Sequence, residues 1–237
     1  MVSPDNPTAE AAVARAHLDE SAEPLEAVGR PGACAGAFSG QLTSAAKSLA
    51  AARAKTMDEL EAEFREICAR FQALTASAGP EICLRAPGPE SWSAAECIQH
   101  LNLTADAYFP VWAQVIASAG PRKSELNTPY RLDFWGRLLC WVLKAPPRIR
   151  TKTLAPFEPV ACYEVAQVLD GFLDRQERIV AALRRCRGRA VDQVKMASPV
   201  DARIRYSIWS SFVVTAAHQR RHLWQAERAV ESVRASK

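Results

Sequence analysis

Two of the four histidines in the chain, His218 and His222, are four residues apart. On a helix, this spacing places both imidazoles on one face, one turn apart, where they can bind the same metal ion. The pair alone does not decide between a metal site and a buried, hydrogen-bonded pair of histidines. His100 lies two turns into another predicted helix, on the flank of its apolar face, so helix packing can bring it opposite the pair. Three histidines from two helices leave coordination positions open for water or substrate, as in catalytic metal sites.

Three polar residues beside these histidines are further candidates for the site. Gln225 follows His222 by three residues, where its amide could hold a ligand histidine or satisfy a buried polar group, and the sequence favours neither. Glu96 precedes His100 by four residues and could orient it or act as a base, although helix capping is sufficient to explain it. Arg221 could bind an acidic group of a substrate, but an ion pair on the helix surface is the commoner use.

Four long helical patterns position these residues. They cover about 45–79, 93–119, 165–188 and 206–233, as judged from apolar residues at helical spacing. The second pattern begins with an S-x-x-E capping box and contains Pro110, which predicts a bend or a break. No segment convincingly predicts a strand. We therefore expect an all-α, up-down four-helix bundle with an insertion between the second and third helices.

Composition is that of an ordinary globular protein of 237 residues, with 49% apolar and 24% charged residues and a net charge of +4. No apolar run approaches the roughly 20 residues needed to span a membrane, and the N-terminus lacks a secretory signal pattern, which predicts a cytoplasmic protein. The seven cysteines include no CxxC pair, which fits neither a disulfide framework nor a zinc finger. Residues 1–42 are predicted to form a disordered tail, and residues 43–237 the bundle domain.

The insertion, residues 121–159, is rich in proline and basic. Residues 121–152 carry eight Lys and Arg against two acidic residues. This charge could meet phosphate, an anionic membrane or an acidic substrate, but a solvated basic loop is the simplest explanation. The apolar run Leu138–Leu143 predicts a short helix that covers an open end of the bundle rather than one that lies on a membrane. Without a recognition motif or exposed aromatics between the basic residues, we expect no nucleic-acid binding.

Two stretches of the sequence resemble the signature motifs of the DinB-like superfamily. They are the W-S-x-x-E-x-x-x-H-L pattern at Trp92–Leu101 and the H-x-x-x-H-x-x-Q pattern at His218–Gln225. The resemblance covers about residues 45 to 235 and covers the tail and the basic insertion poorly. It implies a four-helix bundle with a divalent metal site on His100, His218 and His222.

The same resemblance implies a metal-dependent enzyme of the thiol S-transferase or hydrolase type. Its members include transferases that use low-molecular-weight thiols such as bacillithiol or mycothiol, so a thiol cosubstrate and a small-molecule substrate are expected. Zinc is the expected metal and nickel the next. The alternative is a non-catalytic metal-binding protein that acts in a stress response or through association, since the sequence offers no separate nucleophile or acid–base pair. Association into a homodimer is compatible with such a bundle.

Overall fold

The computed structural model of the chain describes residues 55–125, 128–146, 153–160 and 164–236. The six helices among these residues are α1 Met57–Ala78, α2 Pro80–Leu84, α3 Ala94–Val115, α4 Phe134–Val142, α5 Val165–Arg185 and α6 Ile208–Ala235. Two 3-10 turns span Ile116–Ser118 and Ala155–Phe157, and two antiparallel strands span Lys195–Ala197 (β1) and Arg205–Ser207 (β2). The predicted tail lies outside the described residues.

The long helices α1, α3, α5 and α6 form the predicted all-α bundle, and α4 lies in the predicted insertion between the second and third of them. Cross-helix contacts give their directions. Arg70 pairs with Glu227, and Arg234 donates to the carbonyl oxygen of Ser77 further along, so α1 runs parallel to α6. Asn102 donates to the carbonyl oxygen of Val168, and Arg175 pairs with Asp106 further along, so α5 runs parallel to α3. Trp112 donates to Ser211 while the histidines meet further along, so α3 is antiparallel to α6. The order of directions is therefore up, down, down, up, and does not alternate strictly.

Capping residues set the starts of the helices. Thr56 and Ser93 each form a complete capping box, which starts α1 at Met57 and α3 at Ala94. The part of the first predicted helix before Lys55 lies outside the described residues. Pro110 does not end α3, which continues to Val115, so a break at this proline is not found.

The expectation of a chain without strands is wrong. β1 and β2 form a short hairpin that precedes α6, with Met196 opposite Tyr206 and both side chains buried. Each strand is three residues long, too short for an alternating pattern to be recognised in sequence. The five-residue helix α2 likewise lies outside the four predicted helical patterns.

The insertion helix α4 packs against α6. Gly136 is buried at this contact, and Leu139 and Cys140 pack against the apolar core. The outer surface of α4 leaves Phe134 and Trp135 exposed. The predicted packing of this segment onto the bundle is therefore what the structure shows. Within the described residues, none of the helices has the length and apolar character required to cross a bilayer.

Candidate metal centre

Three imidazoles meet between α3 and α6. His218 Nε2 lies 3.2 Å from His100 Nε2 and 3.0 Å from His222 Nε2. One ring nitrogen from each histidine lies within 4.8 Å of the other two. Because zinc–nitrogen bonds are about 2.0–2.1 Å long, two nitrogens on a tetrahedral ion are about 3.3 Å apart. The separations between these atoms therefore fit a shared metal ion.

A main-chain contact fixes the tautomer of His100. Its Nδ1 lies 2.7 Å from the carbonyl oxygen of Phe157. A carbonyl oxygen can only accept, so Nδ1 carries the proton and the lone pair is on Nε2, which faces the other two histidines. Histidines that bind metals are commonly oriented by such a hydrogen bond. Phe157 belongs to the 3-10 turn of the insertion, so the insertion orients one of the candidate ligands.

The surroundings favour neutral imidazoles. Burial, together with the smaller effects of the neighbouring His100 and Arg221, lowers the pKa of His218 to about 3. Burial also holds the pKa of His222 well below its usual value, with additional lowering by the other two histidines. The pKa of His100 is lowered by burial, against a smaller opposite effect of its hydrogen bond to Phe157. Neutral imidazoles are the form that binds a metal ion.

Trp92 covers one side of the cluster. Its ring stacks on His222, with a centroid distance of 5.7 Å and an interplanar angle of 25°, and it lies 4.9 Å from the ring of His100. The structure shows that it packs on two of the three imidazoles, which shields that side of the cluster from solvent.

The three further candidates have different surroundings. The Glu96 carboxylate accepts from Ser93 N at 2.7 Å, which is the helix-capping role expected from the sequence. Gln225 interacts with His222 and raises its pKa, against the larger lowering by burial. Arg221 Nη1 donates to the carbonyl oxygen of Val142 at 3.1 Å, at the last turn of α4, a contact that the sequence did not suggest. A positive group there stabilises the carbonyl end of a helix.

The histidines open onto a cavity of about 1170 Å³. Its wall includes the facing sides of α3 and α6, the α4 residues Leu139 and Val142, and the hairpin residues Val200 and Ile204. Sites for small molecules are typically concave and largely apolar, with a few polar groups. The cluster is therefore reachable by a small molecule, although its individual side chains are largely buried.

The contributions of the insertion and the hairpin were missed by sequence reasoning. The Phe157 contact is made by a main-chain oxygen, which carries no sequence signal. The hairpin side chains line the cavity beside α6, which β2 directly precedes, and no sequence pattern indicates this position. One available clue was the tryptophan that precedes the Ser93 cap, since its position beside the first motif places it near His100.

A family model described as the DinB superfamily matches residues 63–226. This range contains all three histidines of the cluster. No curated protein and no solved structure shows significant similarity to the chain.

Proposed function

Because the chain belongs to the DinB superfamily, we propose that His100, His218 and His222 bind a divalent transition metal ion at the wall of the cavity. The observation that carries this proposal is the convergence of three Nε2 atoms, with separations of 3.0 and 3.2 Å. Imidazole ligands suit zinc, nickel, iron and copper. Zinc is the first expectation and nickel the second.

The protein is, on this proposal, a metal-dependent enzyme of the thiol S-transferase or hydrolase type. Structural zinc sites generally use four protein ligands, whereas three ligands beside a cavity leave a position for a reactant. When bound, a divalent ion supplies Lewis acidity that lowers the pKa of a coordinated thiol or water. The Phe157 carbonyl keeps the His100 lone pair on Nε2, Trp92 shields one side, and the cavity admits substrate from the other.

The substrates on this proposal are a low-molecular-weight thiol and a small electrophile, or a hydrolysable compound in the second reaction type. Cytoplasmic location and association into a homodimer stay predictions. Gln225, Glu96 and Arg221 are proposed to support the site indirectly, through the contacts with His222, the α3 cap and α4 described above.

The test is metal analysis of protein purified without a histidine tag. We expect about one equivalent of transition metal in the wild type and loss of most of it in His100→Ala, His218→Ala and His222→Ala. His17→Ala is the matched control, since it removes the one histidine that lies outside both motifs, and it should keep the metal. A wild type that binds no zinc or nickel when these are added would refute the proposal.

The same protein separates the two functional alternatives. Metal-loaded wild type is incubated with a thiol and an electrophile such as a chloronitrobenzene, and thioether formation is followed. Thioether formation that is lost in His100→Ala supports the enzyme. Stoichiometric metal with no thiol transfer or hydrolysis supports the non-catalytic alternative.

A further inference from the structure

The cavity continues past the histidines along α3 and α6. Because these helices are antiparallel, residues that follow His100 in α3 lie beside residues that precede His218 in α6. Tyr108, eight residues beyond His100, is about 12 Å away along the helix axis. We name this part of the cavity the lower arm, and define it by Thr104, Tyr108, Leu139, Val200, Ile204 and Val214.

The polar groups of the lower arm are satisfied within its wall. The hydroxyls of Tyr108 and Tyr206 are 2.7 Å apart. Thr104 Oγ1 donates to the carbonyl oxygen of Leu101 at 3.0 Å, and Thr215 Oγ1 donates to that of Ser211 at 2.8 Å. Each of these hydroxyls therefore has a partner within the protein.

Charge in this part of the wall is confined to one residue among those the structure describes. Asp201 lines the cavity on the hairpin side, and its carboxylate is paired with Arg203, with an Nη2 to Oδ2 distance of 2.8 Å. The lower arm therefore offers a ligand no charged group other than the paired Asp201. A charged group that entered the lower arm would lose its hydration without gaining a partner, which is costly.

Apolar side chains are exposed where the cavity meets solvent. Val200 of the hairpin is 43% exposed and Leu154 of the insertion is 50% exposed, and both line the cavity. They belong to separate segments of the chain, yet each leaves a large apolar surface in water at the same cavity. Such surface commonly marks a place where an apolar ligand is bound.

We propose that the lower arm binds the apolar chain of an elongated substrate whose reacting group lies at the three histidines. This inference rests on the proposed function and specifies its substrate class. The length of the arm, about 12 Å, accommodates a chain of about eight carbons. Compounds with a charge on that chain are disfavoured, because the one charged residue in this part of the wall, Asp201, is already paired with Arg203.

The test uses straight-chain alkanethiols, from ethanethiol to decanethiol, with cobalt(II)-loaded protein. Binding is followed by the sulfur-to-cobalt charge-transfer absorption. We expect the Kd to fall about fourfold for each added methylene, because each is removed from water. The improvement should stop at about eight carbons, where the arm ends.

Two variants test whether the alkyl chain of the thiol lies in the lower arm. Ile204→Ser should weaken octanethiol binding about tenfold and leave ethanethiol unchanged, because it removes an apolar side chain from the wall. Leu84→Ser is the matched control, since Leu84 is 45% exposed and lies away from the cavity. Val214→Phe adds bulk inside the arm, so it should abolish the gain from long chains even if Ile204→Ser does not fold.

The outcomes separate the two proposals. A band with ethanethiol but a Kd independent of chain length overturns the lower arm and leaves the metal site standing. The same chain-length dependence in wild type, Ile204→Ser and Val214→Phe also overturns it. If no thiol band forms with any chain, the thiol-transfer part of the proposed function fails. In that case, calorimetric titration of metal-free protein with n-alkanols from butanol to decanol tests the lower arm. A Kd that is independent of alkanol length refutes it.

Discussion

Gly136 is the residue on which the packing of α4 against α6 depends most directly. A Cβ at this position would lie 2.6 Å from Ser210 Cβ, with Ser210 Oγ also in contact, and 3.1 Å from Asp133 Oδ1. Ser210 cannot turn away freely, because its hydroxyl bonds Ser207 and Asp133. We therefore expect Gly136→Ala to force α4 away from α6 or to break this set of hydrogen bonds.

The expected cost is worked out from three effects. Overpacking a tight contact costs about 1–3 kcal/mol. Breaking the Ser210–Asp133 contacts leaves buried polar groups unsatisfied, which costs about another 1–3 kcal/mol. Alanine is favoured over glycine in a helix by about 0.5–1 kcal/mol, which offsets part of this. The free energy of unfolding should fall by about 1–5 kcal/mol, measured by urea denaturation with circular dichroism.

Two further variants make the result specific. Gly171→Ala places a Cβ in α5 at 3.2 Å from Arg175 Nη1, the end of a flexible side chain, so its stability should change by less than about 1 kcal/mol. Ser210→Gly removes both atoms that the Gly136→Ala side chain would meet, so the double variant should be more stable than Gly136→Ala alone. An unfolding midpoint of Gly136→Ala equal to that of the wild type would refute the close approach of α4 and α6.

Three other perturbations have defined outcomes. Ser93→Ala removes the buried cap of α3 and should lower the free energy of unfolding by about 1 kcal/mol, checked by urea denaturation against Ser91→Ala, the same change at an exposed serine outside the cap. Ser211→Ala leaves the buried Trp112 Nε1, which donates to Ser211 Oγ at 2.7 Å, without its acceptor and should cost about 1–3 kcal/mol in the same assay; an unchanged midpoint would contradict the contact. Glu61 has a pKa lowered to about 2, chiefly by its hydrogen bond to Arg184, so its contribution is present above pH 5 and is lost as the pH falls towards 2. Glu61→Gln should therefore cost about 0.5–1 kcal/mol at pH 7, a small value because Arg184 and Arg65 are exposed, and the difference from wild type should shrink steadily in melts below pH 5.

The candidate ligands and the long helices could be predicted because they depend on local patterns. The spacing of His218 and His222 fixes their common face whatever the rest of the chain does. The capping box at Ser93 likewise fixes where α3 begins, and hence that His100 lies two turns into it. The relative directions of the helices in the bundle could not be predicted, because an apolar face looks the same for either direction of the chain.

The cavity could not be predicted for a different reason. Its wall combines residues far apart in sequence, such as Leu139, Ile204 and Val214. Which of them meet depends on how α4 packs against α6. That packing depends on Gly136, which lies against Ser210, and on Asp133, and the partners of both residues in α6 and its cap are far away in sequence. Asp133 accepts from Gly136 N at 2.8 Å and from Ser207 N at 2.6 Å, and so serves the first turn of α4 and the residue that caps α6. Nothing in the sequence near Asp133 indicates the second contact.

The order of helix directions explains why the insertion takes part in the site. α3 and α5 run parallel, so the chain must travel back along the bundle between them. α3 has 22 residues and is about 33 Å long, a distance that about ten extended residues would cover. The connection from residue 116 to residue 164 is much longer than this return requires. Its additional length supplies α4 to the cavity wall and the Phe157 carbonyl to His100, so the segment that returns the chain also orients a candidate ligand.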